Sequence, residues 1–314
     1  MGARAAVRGL LGDRTMAVHS SRRVKVSSRT RSPTCSSATP SSSYHNHSIQ
    51  DSDDLDLWGT SKDLYERAGG VGGGGRVRQH INPFKKELQI PSELQASDWA
   101  TFFEDPDLSL EVDVGCGSGR FLLARAKRNG KKSNFFGMDI RSKLVERSNK
   151  WAELLGLSSN LHYYTTNATV SFETVLRSYP GRVDFVSVQY PDPHFKKRHQ
   201  KRRIVQDEFT AQVARVLGDS GKVFLQSDVR EVLVDMRTRF ERSAGFEHCE
   251  EEEIERMALE SGALVGEKGA VRVMDDEGFV AINPTAVPTE REVHSSADGE
   301  RVYRSLFRKL AAQP

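Results

Sequence analysis

Between Tyr190 and Arg203 the chain reads YPDPHFKKRHQKRR, a carboxylate set between two prolines and followed by a dense cationic run. Proline holds φ and cannot continue a strand or helix, so Asp192 is pinned where the β-rich run 183–188 ends. In open α/β sheets, ligands sit outside the carboxyl ends of the strands. Lys196, Lys197, Arg198, Lys201, Arg202 and Arg203, with His199 inside the run, then supply phosphate partners beside the acid. A rigid acid next to a polyanion clamp predicts chemistry on nucleic acid. His194 and Phe195 leave two readings open, stacking on a base or packing under the loop.

A second motif, DVGCGSG at 113–119, follows a strand-like run and opens a helical one. Gly115, Gly117 and Gly119 let the backbone turn tightly and approach a ligand, while the helix amino end offers N–H groups. A dinucleotide fingerprint wants glycine where Arg120 stands. The spacing is instead that of S-adenosylmethionine-dependent methyltransferases. Asp139, about 20 residues on at the end of the next strand, suits ribose hydroxyls. Asn167 and Ala168, after the third strand, stand where an amide could read an adenine edge, and Asp113 points at the same crevice. Three such features in phase on successive strands are not explained by a structural turn alone. Ser227 and Asp228 end the fifth strand, where a helix N-cap explains them equally well.

These residues need a scaffold, and the pattern supplies one. Strand-like runs at 110–114, 134–140, 161–165, 183–188 and 222–226 alternate with helical patterns at 120–128, 142–155, 171–178, 207–217 and 229–243. Such alternation implies a parallel twisted sheet with right-handed crossovers and helices on both faces. Gly181 and Gly221 punctuate strand entries. A last run at 301–307 predicts a late antiparallel strand. The acidic run 250–253 reads as a solvated face or loop, and 288–292 as a charged loop.

The 314 residues suffice for one large domain with appendages, and no apolar run approaches the roughly 20 residues of a membrane span. Cys35, Cys116 and Cys249 are scattered and odd in number, so neither a disulfide framework nor a metal knuckle is expected. Net charge is +3, but the first fifty residues carry eight Lys/Arg against Asp13 alone. The rest is therefore net acidic, which makes the basic run after Asp192 a local feature. Residues 1–50, rich in Arg and Ser, predict a disordered organellar transit peptide, chloroplast ahead of mitochondrion, with cytoplasm or nucleus as the alternative. Residues 51–78 predict a flexible linker rich in glycine, and residues 79–314 the catalytic domain.

From Gln79 to Phe307 the chain resembles the tRNA (guanine-N7)-methyltransferases, most specifically in PDPHFKKRH at 191–199 with KRRIV at 201–205 behind it. It looks most like the plant and algal versions. The resemblance implies a Rossmann-like class I fold, S-adenosyl-L-methionine as cofactor and a variable-loop guanine of tRNA as substrate. It implies cofactor contacts at Asp113, Gly115, Asp139 and Asn167, with Asp192 the catalytic acid touching both cofactor and guanine. Lys196, Asp228, Thr289, Glu290, Arg291 and Glu292 match substrate positions. Bacterial members usually carry Trp at His194, Thr at Ser227, and Glu at Asp113 and Asp139. The family includes chains that act alone and chains that need a WD-repeat propeller partner. Competing readings are a non-catalytic RNA-binding subunit of the same fold and a methyltransferase for another RNA guanine. Residues 244–284 match weakly and carry no expectation.

Overall fold

Runs of β-branched and aromatic residues, apolar on both faces, belong in the middle of a sheet covered on both sides. That is where β1 (Leu110–Val114) and β2 (Asn134–Asp139) lie, every residue buried. The computed structural model describes residues 81–264 and 271–311. The leader and glycine linker expected at 1–50 and 51–78 lie outside the described residues. Five parallel strands, β1, β2, β3 (Leu161–Thr165), β4 (Val183–Gln189) and β5 (Leu217–Ser227), are joined by β6 (Phe246–His248) and β7 (Tyr303–Lys309). The order is β3-β2-β1-β4-β5-β7-β6, and β7 runs antiparallel between β5 and β6. The expected late antiparallel strand is therefore present, slightly downstream of 301–307, and is not at the edge. Three-residue β6 had no readable signal in the sequence.

Pleating sends neighbouring side chains to opposite faces. Phe136, Val186, Val223 and Phe307 join one apolar cluster with α4 (Ala168–Leu176), α5 (Asp207–Val216) and α6 (Arg230–Arg242). Their neighbours Phe135, Phe185, Phe224 and Leu306 face the other side. There they meet α2 (Arg120–Asn129), α3 (Ser142–Leu154) and α7 (Glu251–Ser261). A short α1 (Ala96–Phe102) precedes β1. Because β2 lies on one side of β1 and β4 on the other, the chain reverses its winding there, and the splayed carboxyl ends leave a crevice.

Two expected loops are helical. The acidic run 250–253 opens α7, where negative charge suits the positive helix end. Glu253 is buried and paired with Lys222 at 3.2 Å and Arg308 at 3.3 Å, so this acid is not solvated. Thr289 caps α8 (Glu290–Ala297) through a reciprocal box with Glu292.

Candidate active site

The crevice is a cavity of about 800 Å³ whose wall includes Asp113, Gly115, Gly117, Asp139, Asn167, Ala168, Asp192, Asp228, Thr289, Glu290 and Arg291. The glycine loop and the proline-bracketed acid thus share one chamber. Its size is that of ordinary small-ligand sites, with room to spare.

The glycine loop is tied down by its neighbour strand: Gly115 N and Cys116 N donate to Met138 O at 2.7 and 3.1 Å. Gly115 (φ 79) and Gly117 (φ 59) require the left-handed region, and a Cβ on Gly115 would point into open space. Gly119 behaves differently. A Cβ there would lie 2.6 Å from Ser148 Oγ and 2.7 Å from the Tyr163 ring, so this glycine serves helix-to-strand packing and is not part of the cavity wall.

Asp113 is 4% exposed. Its Oδ1 accepts from Ser187 Oγ at 2.6 Å and Gln189 Nε2 at 3.4 Å. Burial outweighs those bonds and raises the carboxyl to about 6. A cation placed beside it favours the ionised form and offsets the cost of burial. Asp139 is held on both oxygens: Oδ1 accepts from the backbone N and Nε of Arg141, and Oδ2 from Gly117 N and Arg141 Nη2, at 2.8–2.9 Å. Arg141 lines the cavity and was not singled out in the sequence. Its signal was present, a cation two residues past the strand-end acid. The Asp139 hydrogen bonds keep it protonated, with a smaller contribution from Asp192.

Asn167 corrects the expectation of an adenine-reading amide. Its Nδ2 donates to Pro83 O and Leu88 O at 3.0 and 2.9 Å, and its Oδ1 caps Thr169 N and accepts from Thr169 Oγ1. Every hydrogen-bonding position is taken. The side chain therefore ties the 81–90 segment over α4. What remains for a ligand at this edge is the first turn of α4, beginning at Ala168.

On the opposite wall, Tyr190 (φ 47) and His194 (φ 44) bracket Pro191–Asp192–Pro193 in left-handed conformations uncommon for such residues. Tyr190 is clamped to β5: its N donates to Gln226 O and its hydroxyl accepts from Gln226 Nε2, both at 2.8 Å. Arg203 corrects a second expectation. It is 4% exposed, donates to Pro193 O at 2.8 Å, and is paired with Asp235 at 3.0 Å and Glu231 at 3.1 Å. It cannot also hold a phosphate, and instead anchors the Asp192 loop. The rest of the run forms a 3-10 turn, Lys197–Arg202. Lys196, Lys197, Arg198 and Lys201 are exposed without an ion-pair partner among the described residues, and Arg202 lines the cavity.

The α8 end completes the wall. Glu290 accepts from Arg120 Nη1 at 2.5 Å and Ser118 Oγ at 3.1 Å, and Arg291 pairs with Asp228 at 2.5 Å. Glu292 is a third correction. It is 5% exposed, bound to Arg304 at 2.6 Å and Asn283 at 2.9 Å, and caps its own helix. It supports the site from behind and does not reach a substrate. No three- or four-residue cluster suited to a metal exists among the described residues.

A family model described as "Putative methyltransferase" matches residues 107–271, just over half of the chain. Curated relatives resemble it over most of their length. A tRNA (guanine-N(7)-)-methyltransferase of Trichormus variabilis is 38% identical over 75% of this chain and 97% of its own. Enzymes of the same name from Synechocystis (36%, 74% of this chain, 97% of its own) and Synechococcus elongatus (39%, 74% and 95%) match equally well. With the donor loop and the acid of PDPHFKKRH facing one chamber, and with relatives matched nearly end to end, the chain belongs to the tRNA (guanine-N7)-methyltransferase family.

Proposed function

We propose that the protein transfers the methyl group of S-adenosyl-L-methionine to N7 of a guanine in tRNA, and that this guanine is the one in the variable loop. The observation that carries the reading is the common chamber of Asp192 and the glycine loop, with Arg202 on its wall and exposed cations following Asp192 in the chain.

The residues suit this cofactor. A buried carboxylate at Asp113 matches a ligand ammonium, the open space over Gly115 admits close backbone approach, and the α4 amino end suits a nucleoside. When bound, the cofactor supplies an electrophilic methyl on a sulfonium. Guanine N7 already carries an in-plane lone pair, so no base is required. What the chain must contribute is placement of N7 in line with that methyl, which lowers the barrier by several kcal/mol as an entropy effect. Asp192 accepts hydrogen bonds from guanine N1–H and its exocyclic amine, a pattern adenine lacks. The same carboxylate offsets the positive charge that grows on the purine as the bond forms. The target base is turned out of its stack to reach the chamber. Lys196, Lys197, Arg198, Lys201 and Arg202 grip the flanking phosphates meanwhile.

The enzyme works as a single chain in an organelle, the chloroplast ahead of the mitochondrion, a placement that rests on its Arg- and Ser-rich first fifty residues. A fluorescent fusion that stays in the cytosol overturns the placement. Incubation with radiolabelled S-adenosylmethionine and unmodified tRNA transcripts, followed by mapping of the labelled base, tests the reaction. Label at N7 of the variable-loop guanine, from the chain alone, is the expected result. Label elsewhere, no label, or a need for a second protein refutes the corresponding part.

A further inference from the structure

Phe195 is 66% exposed, an unusual state for a phenylalanine. Of the large hydrophobics exposed among the described residues (Phe84, Ile90, Phe195 and Leu310), it is the one on the cavity wall. The surrounding backbone holds it outward. His194 before it is left-handed, and the Pro193 carbonyl one step earlier is tied by the buried Arg203. The ring is followed by the exposed cations Lys196, Lys197 and Arg198. It belongs to the loop after β4, whereas Asp139 and the α4 amino end lie beyond β2 and β3 on the far side of β1. The ring therefore stands at the substrate half of the chamber, three residues from Asp192, away from the nucleoside half of the cofactor.

We propose that Phe195 is the stacking face that receives the extruded purine, holding its ring at the cavity mouth while Asp192 engages the edge and the neighbouring cations hold the backbone. An aromatic face beside an electropositive strip is the usual equipment for an unstacked base, since every base offers a π-face. The inference rests on the tRNA-methylation reading and specifies how that site takes its substrate. Stacking also gives a reason for a large apolar ring to stand exposed on this wall.

The test uses Phe195→Ala, Phe195→Leu and Phe195→Trp in the full chain. With the ring exposed, none of these disturbs folding, and melting temperatures stay at the parental value. Base–aromatic stacking implies a loss of about 5- to 100-fold in kcat/KM for tRNA in the Ala and Leu variants, against less than threefold for Trp. The cofactor Kd and the salt dependence of tRNA binding remain as in the parent. In Phe195→Trp, intact transcript quenches the added indole, and a transcript with an abasic site at the variable-loop guanine does not. Equal activity of the Leu and Trp variants, or quenching indifferent to the abasic site, overturns the proposal. Guanine-dependent quenching without methyl transfer supports the stacking and refutes the reaction; methyl transfer without such quenching does the reverse.

Discussion

A proline on each side of Asp192, with left-handed residues just outside them, fixes the backbone that carries this acid. Asp192→Ala should lower kcat by at least about 100-fold, the scale for removing a preorganised electrostatic group, while the cofactor Kd stays within twofold. Calorimetry paired with single-turnover assays checks this, and retained turnover would refute the role. Asp113 makes a pH-dependent statement. Its folded pKa, raised by burial to about 6, favours the protonated acid in the native state. Its contribution to folding stability is therefore present below the ordinary carboxyl range and lost as pH rises through 6. A cationic ligand group needs the ionised form, so cofactor affinity should weaken as pH falls through 6. Asp113→Asn should flatten that profile, as titrations at pH 5 to 8 would show. An unflattened profile in the variant removes Asp113 from cofactor binding.

At the scale of elements, the site is a meeting of strand ends with two anchored turns. Arg203 fastens the turn after β4 to α6 through Glu231 and Asp235. Its guanidinium bonds to three groups in different directions, which a lysine cannot reproduce. Arg203→Lys should therefore reduce kcat by roughly tenfold or more through a loosened Asp192 loop, without lowering the salt slope of tRNA binding. A reduced slope would restore the phosphate role. The second turn is built by Arg125 and Arg128 of α2, which donate to Thr285 O at 3.2 Å and Ala286 O at 2.8 Å and so aim the start of α8 at the cavity. Thr289 caps that helix. Thr289→Ala should cost about 1 kcal/mol, a fall of roughly 2–4 °C in Tm, readable by differential scanning calorimetry.

Across the whole molecule, charge and acid sensitivity are the properties to measure. Neutralising Lys197, Arg198 and Lys201 together by Gln should reduce the slope of log affinity against log salt by about 2, at 0.7–0.9 per lost phosphate contact. An unchanged slope places the tRNA backbone elsewhere. Acid lability should come in part from His162, stacked on Phe102 at 3.9 Å, whose burial lowers its pKa to about 4. A histidine kept neutral in the fold stabilises fully above its unfolded pKa, and that stability is lost as pH falls from 6.5 towards 4. The loss is on the order of 2 kcal/mol after allowance for partial exposure. His162→Phe should remove this component from urea melts compared at pH 7 and pH 5.

The alternation of strand and helix, the glycine turn and the proline-bracketed acid are local facts, written in residue type and spacing. They determined the fold class and brought Asp113, Gly117, Asp139 and Asp192 to the same crevice in advance. Asn167, Arg203 and Glu292 were placed at the right end of the sheet and given the wrong task. A polar side chain's role depends on whether distant groups have already consumed its hydrogen bonds. Those partners, Pro83, Asp235 and Arg304, lie 84, 32 and 12 residues away. Only the tertiary structure decides such saturation. For the same reason it alone shows which cations of the basic run remain open to solvent and which one is buried as a clasp.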